Sequence, residues 1–365
     1  MDIKFRCPQC FRKIAAESEH KGAQINCPAC GYSMTVPESS FGIGTEIEGF
    51  TIERYLGSGA MGEVYLAKQS TMNREVALKI MTNDSMTQED DKERFVREVQ
   101  TLAKLNHPNI VSAISAGEFE HGAFLAMTYI TGSTVEDKVQ RDGPMNEKDA
   151  LNCIIAVADA LKYAWDNRKI LHRDIKPANF MIDDGGEVHL MDMGIAKSME
   201  SDYDITVAGM VMGTPYYMSP EQSAAEKLDQ QSDIYSLGAS LYHMVTGNPP
   251  YKGGSPMQIM AKKLSEDPEE PKRIKPEISD RMNTLIKKFM AIDKKKRVQD
   301  WDEAIELLKK AKSPKKSGKK IHVNSHNADT AGRTVQKTRK KSSPMPVIVA
   351  TIMVVAAAIL FFVLK

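Results

Sequence analysis

Gly57-Ser58-Gly59-Ala60-Met61-Gly62-Glu63-Val64 lies between two β-type runs, where glycines let a backbone fold closely over phosphate oxygens and offer them N–H groups. A dinucleotide fingerprint would need a helix directly after the run, and here a strand-type sequence follows instead. Seventeen residues after Gly62, Lys79 ends the buried-looking run Val76-Ala77-Leu78-Lys79. A lysine in that setting needs an anion. Substrate phosphates and a carboxylate on the following helix, Glu98, would supply it. A second chemistry stands at the N-terminus, where Cys7-Pro8-Gln9-Cys10 and Cys27-Pro28-Ala29-Cys30 make two C-x-x-C knuckles 16 residues apart. Four thiolates at that spacing suit a tetrahedral Zn²⁺ site with no position left for substrate, so the zinc is expected to be structural.

These groups need elements to hold them. Residues 1–37 read as the zinc ribbon and 38–46 as a linker, with Pro37 to Gly42 rich in turn formers. Gly62 to Ala67 and Val76 to Ile80 read as strands of a sheet-rich lobe that carries one helix, Gln88 to Leu105. Thr87 caps that helix and Asn106-His107-Pro108 ends it. From about residue 134 to 311 helical periodicity dominates, as in Ala150 to Trp165 and Ala304 to Leu308, so a helical second lobe is expected. Cys153, on an apolar helical stretch, is expected in the core.

The stretch His172-Arg173-Asp174-Ile175-Lys176-Pro177-Ala178-Asn179 is followed by Asp192-Met193-Gly194 and by Gly213-Thr214-Pro215-Tyr216-Tyr217-Met218-Ser219-Pro220-Glu221. With these motifs in this order, the chain resembles the eukaryotic-like (Hanks-type) serine/threonine protein kinases, particularly the bacterial members, over roughly residues 50–311. The resemblance implies an α+β, two-lobed kinase fold over 47–311 and Mg·ATP-dependent phosphorylation of Ser or Thr in proteins, including the chain itself. It implies that Asp174 orients the substrate hydroxyl and accepts its proton, that Lys176 contacts the γ-phosphate, and that Lys79, paired to Glu98, holds the α- and β-phosphates. Asn179 and Asp192 would ligate Mg²⁺, for which their oxygens are suited. Leu56, the run from Gly57 through Ser58, Gly59, Ala60, Met61, Gly62 and Glu63 to Val64, Ala77, and the backbone from Thr128 to Ile130 would enclose ATP.

Thr214 and Pro215 match the shelf that receives the substrate residue. Arg173 could pair with a phosphate on the activation segment, with Thr206 as the candidate phosphosite. Glu221 and Arg297 match a buried ion pair, and Asp233 matches the acid that braces the catalytic loop; these three are structural. Three positions depart from the family pattern. Met193 replaces the usual Phe, Thr128 stands where an acid is common after Met127, and Lys294 occupies a place where proline is usual. A pseudokinase scaffold would normally have lost a Lys, Asp or Asn of this set; Lys79, Asp174, Asn179 and Asp192 are all retained. A ribbon-led adaptor is the other alternative.

The formal net charge of +1 hides a segregation, since Lys309 to Lys341 carries twelve Lys/Arg against Asp329 alone, leaving about −10 elsewhere. Residues 312–345 read as a basic disordered tether, too poor in apolar periodicity to offset its ordering entropy. Val347 to Leu364 is an uncharged run of 18 residues, within a transmembrane helix expected over 346–364. Lys337, Arg339, Lys340 and Lys341 before it favour a single pass through the inner membrane with the kinase in the cytoplasm. No secretory signal is expected before the cysteines. Protein substrates and membrane lipid are the expected partners, and a homodimer is kept open. Nucleic acid is not expected, because Glu17 and Glu19 dilute the basic residues Lys4, Arg6, Arg12, Lys13 and Lys21.

Overall fold

A computed structural model describes residues 2–7, 9–10, 12–20, 22–36, 39–59, 62–82, 99, 103–193 and 215–313. Ala60, Met61, Glu98, Gly194, Thr206, Thr214, most of the helix expected from Gln88, and the tether and apolar run of 314–365 lie outside them. Two hairpins make the N-terminal unit. Strand β1 (Asp2–Arg6) pairs antiparallel with β2 (Lys13–Glu17), and β3 (Gln24–Asn26) with β4 (Ser33–Thr35). Ile3, Phe5, Ile14, Met34 and Val36 join Cys7 and Cys27 in one small buried cluster. A core this thin ordinarily needs a staple.

A six-stranded antiparallel sheet follows, in the order β5 (Glu46–Ile47), β6 (Phe50–Gly59), β7 (Gly62–Gln69), β8 (Arg74–Thr82), β10 (Gly122–Thr128), β9 (Ala113–Phe119). The period of two sorts its faces. Val76, Leu78 and Ile80 pack with Phe50, Ile52 and Tyr65 on one side, so Ala77, Lys79 and Met81 point to the other. The residues read as a linker do not stand free of this sheet. Phe41 is only 2% exposed, sets its ring edge-on to Tyr65 and Phe119, and donates its N–H to the Tyr65 hydroxyl at 3.2 Å. One aromatic in a turn-rich segment is enough to fasten it, because burying a phenyl ring is worth about 2–3 kcal/mol.

Ahead of β9, Asn109 to Val111 runs beside β13 (Val188–Leu190) of the second lobe: Leu190 N–H donates to Asn109 O at 2.8 Å and Val111 N–H to Leu190 O at 3.0 Å. β13 pairs with β12 (Phe180–Asp183), which pairs with β11 (Gly132–Thr134). The helices are α1 (Val135–Asp142), α2 (Glu147–Arg168), α3 (Pro220–Ser223), α4 (Gln230–Thr246), α5 (Pro256–Ser265), α6 (Pro271–Ile274), α7 (Asp280–Phe289) and α8 (Trp301–Lys312). Helix α4 is the centre of this lobe, buried from Ser232 to Thr246. Two of its buried hydroxyls are satisfied within the helix, Ser236 donating to Ser232 O and Ser240 to Ser236 O at 3.2 and 2.9 Å. Gly238 lets α7 approach, since a Cβ there would lie 2.6 Å from that of Phe289. Cys153 is buried in the same core, and burial pushes its thiol up to about 12, the mark of an inert thiol.

Candidate active site

The glycine-rich run is the β6–β7 turn. Gly62 has φ +136, and a Cβ on it would meet Ile80 O at 2.0 Å, so both backbone conformation and close approach require glycine. Val64 and Leu125 lie opposite Lys79 in register and flank it on one face of the sheet. Glu63 points to the other face. Its carboxylate accepts from Ser40 N–H at 2.9 Å and from the Tyr65 hydroxyl, so its contribution on the Lys79 side is confined to backbone. Alternation in β7 is the reason.

Lys79 is mostly buried, and its Nζ lies 2.8 Å from Asp192 Oδ1. The Glu98 pairing falls outside the described residues, and Asp192 is the partner described. Burial alone would raise the Asp192 carboxyl; the Lys79 ammonium outweighs it and holds the group below the ordinary carboxylate range. Asp192 also has a left-handed backbone, φ 51, a conformation that costs a non-glycine residue roughly 1–3 kcal/mol and persists where the surroundings enforce it.

The enforcing contacts run through His172. Its ring Nδ1 accepts from Asp174 N–H at 3.3 Å, so Nε2 carries the proton and donates to Met191 O at 2.9 Å. This buried imidazole ties the Asp174 loop to the residue before Asp192. The loop is held from beneath by Asp233, in the first turn of α4, which accepts His172 N–H at 2.7 Å and Arg173 N–H at 2.9 Å. Arg173, φ 63, turns two successive N–H groups onto one carboxylate, as a backbone nest does. Burial pushes Asp233 up, against the pull of His172, Arg173 and their amides. From the side, Gln222 Nε2 donates to Arg173 O at 2.8 Å.

Asp174 Oδ2 lies 2.9 Å from Lys176 Nζ, and Asn179 Nδ2 donates to Asp174 O at 2.7 Å and to its Oδ2 at 3.2 Å. These two bonds orient the Asn179 amide. Its Oδ1 is left without a donor among the described residues although Asn179 is only 5% exposed, and an orphaned hard oxygen beside the Asp174 carboxylate suits Mg²⁺. At the other end of the cleft, Thr128 N–H is taken by Ser112 O at 3.0 Å, while Ile130 N–H has no partner among the described residues.

The remaining expectations have definite places. Arg297 and Glu221 form a bidentate pair at 2.7 and 3.2 Å, with side chains 0% and 2% exposed. Met193 fills a buried apolar slot, and Lys294 is held by Asp229 at 2.6 Å. In the N-terminal unit the four cysteine sulfurs lie within 4.8 Å of one another, with Cys7 to Cys30 at 3.6 Å and Cys10 to Cys27 at 3.7 Å. Zn–S bonds of about 2.3 Å in a tetrahedron set sulfurs about 3.8 Å apart, so the four fit. His172, Gln222 and Lys263 were not singled out in the sequence. Only His172 had a signal there, its adjacency to Asp174.

The sequence matches the family model described as the protein kinase domain over residues 50–310. It is 38% identical over 248 residues to the serine/threonine-protein kinase PknB of Mycobacterium leprae, covering 67% of this chain and 40% of that protein. It is 37% identical over 252 residues to the serine/threonine-protein kinase PrkC of Bacillus subtilis, covering 69% and 39%. The chain thus spans about two-fifths of the length of these curated relatives. Among solved structures, the kinase domain of Mycobacterium tuberculosis PknI matches with a TM-score of 0.60 and 27% identity, over 73% of this chain and 98% of that one.

Proposed function

This chain belongs to the protein kinase family, and from that premise we propose that it transfers the γ-phosphoryl group of Mg·ATP to Ser and Thr in proteins, its own activation segment included. The observation that carries the reading is the convergence of Lys79 and Asp192 with the Asp174, Lys176 and Asn179 cluster, tied together by His172. Lys79 holds the α- and β-phosphates, backbone of Gly57 to Val64 covers them, and Ile130 N–H meets the adenine edge. Asn179 Oδ1 and Asp192 would hold Mg²⁺, which would supply positive charge against the phosphate oxygens. Asp174 aligns the acceptor hydroxyl and takes its proton as the new P–O bond forms and the β–γ bridging oxygen leaves with ADP. Lys176 stabilises the transferring oxygens. A phosphate on Thr206 would pair with Arg173 and order the segment. Label transferred from γ-labelled Mg·ATP to Ser or Thr of a basic protein, and lost in Asp174→Asn, tests this reading.

The ribbon of residues 1–37 is read as a structural zinc module, on the strength of its sulfur spacing and thin core. Purified full-length protein is expected to hold one Zn²⁺ per chain by elemental mass spectrometry. Cys27→Ser should lose it and unfold the ribbon, because structural zinc supplies about 10–16 kcal/mol of apparent binding free energy. Wild type without stoichiometric metal contradicts the module.

The run Val347 to Leu364 is read as a membrane anchor that leaves the kinase on the cytoplasmic side. Among the described residues no helix is long and apolar enough to cross a membrane, and this run lies outside them. Full-length protein is expected to float with lipid vesicles, and a chain lacking 346–364 to stay in solution. Equal partitioning of the two would sink the anchor.

A further inference from the structure

Helix α5 turns Ile259, Met260 and Lys263 into the helical lobe. Lys262 reaches outward to Lys252 O at 3.0 Å, but Lys263 is 0% exposed. Its Nζ donates to Tyr216 O and to Met218 O, each at 2.8 Å, and sits 4.8 Å from the Tyr251 ring centre and 5.5 Å from that of Tyr235. Among the described residues no counter-charge offsets the cost of its burial, which pulls the ammonium down to about 7. Were packing its only role, an apolar side chain of the same length would avoid that cost.

What the ammonium does, and methionine cannot, is grip two backbone carbonyls on either side of Tyr217. The Tyr217 side chain is fixed separately, its hydroxyl hydrogen-bonded with His243 Nδ1 at 2.5 Å and the two rings stacked. The gripped segment directly follows Thr214 and Pro215. It also leads into α3, where Gln222 holds Arg173 O beside Asp174. The described chain from Pro215 through Met218 into α3 therefore links the buried lysine to the catalytic loop.

We propose that Lys263 is a positioning residue for the acceptor polypeptide: by clamping the Tyr216 and Met218 carbonyls it sets the height of the shelf on which the Ser or Thr substrate is presented to Asp174. The inference rests on the kinase reading above. It separates acceptor handling from nucleotide handling, because Lys263 touches nothing on the Lys79 face.

The test uses the full chain, Mg·ATP and a generic basic protein as acceptor, with Lys263→Met and the surface control Lys262→Met. Lys263→Met is expected to lower kcat/KM for the acceptor by about ten- to hundredfold, the loss that follows when two buried carbonyls lose a charged donor. KM for ATP stays within twofold and the melting temperature falls by no more than a few degrees, because removing the buried charge offsets part of the cost of two unpaired carbonyls. Lys262→Met changes none of these. Should Lys263→Met fail to melt cooperatively, Lys263→Gln, which keeps two N–H donors, is measured instead, with the same split at smaller size. Unchanged acceptor kcat/KM in the folded variant, or equal losses toward acceptor and ATP, overturns the assignment. A wild type that transfers no phosphate overturns the kinase reading instead.

Discussion

Asp174→Asn is expected to lower kcat for phosphoryl transfer by about 10²–10⁴-fold, the usual contribution of a positioned general base. Asparagine has nearly the same shape and still accepts hydrogen bonds, but it cannot take a proton. The loop around it is held through backbone groups, by Asp233 on the His172 and Arg173 amides and by Gln222 on Arg173 O, so the substitution leaves its course intact. In the proposed mechanism Asp174 serves the acceptor and Lys79 the nucleotide. KM for ATP is therefore expected to change by less than about threefold, as for loss of an interaction made mainly in the transition state. Steady-state rates with both substrates varied check this. A comparable rise in KM for ATP would place Asp174 in nucleotide binding.

Breaking the Glu221–Arg297 pair has the largest expected effect on stability. All five guanidinium donors of Arg297 are used: two on Glu221, and one each on Ala291 O, Gln231 O and Ile292 O. Arg297→Met would strand the carboxylate in the core, at a cost of about 3–5 kcal/mol. In a domain of this size each kcal/mol shifts Tm by about 2–4 °C, so a drop on the order of 10 °C is expected. Replacing both partners with apolar residues should recover much of it.

The pH dependence has a definite sign. Burial would raise the Glu221 carboxyl, and Arg297 more than reverses this, holding it below its ordinary range. A lowered folded pKa contributes stability above the unfolded value near about 4.3 and loses it as pH falls through the folded value. In Arg297→Met the same carboxyl is raised by burial, so its penalty grows as pH rises above about 4.3. The Tm gap between wild type and variant therefore widens from pH 4 toward neutrality. A gap independent of pH would mean that lost packing, not charge, sets the cost.

Much of this site was legible because its chemistry is written in short runs. Residues 172 to 179 bring Asp174, Lys176 and Asn179 together within eight positions, and alternation in Val76 to Ile80 already sends Lys79 to the face opposite Leu78. The two lobes follow from the change of hydrophobic period near residue 134. What was not legible depends on distant contacts or on backbone angles. Nothing in Asp192-Met193 announces a left-handed aspartate, because that conformation is enforced by Lys79 and, through Met191, by His172. Lys262 and Lys263 are indistinguishable as letters, and only the helical phase set by Ile259 buries the second. Phe41 was masked by its turn-forming neighbours, whose composition predicts a loop but not what the loop packs against. Lys294, in a place where proline is usual, is accommodated by Asp229, an ion pair 65 residues away in sequence.

The central claim is phosphoryl transfer, and its most direct test is incorporation of label from γ-labelled Mg·ATP into a generic basic protein and into the full chain itself, beside Asp174→Asn. The account predicts label on Ser or Thr in both proteins, lost in the variant. Equal background from wild type and variant, in folded protein that binds ATP, would contradict it and make this chain a scaffold.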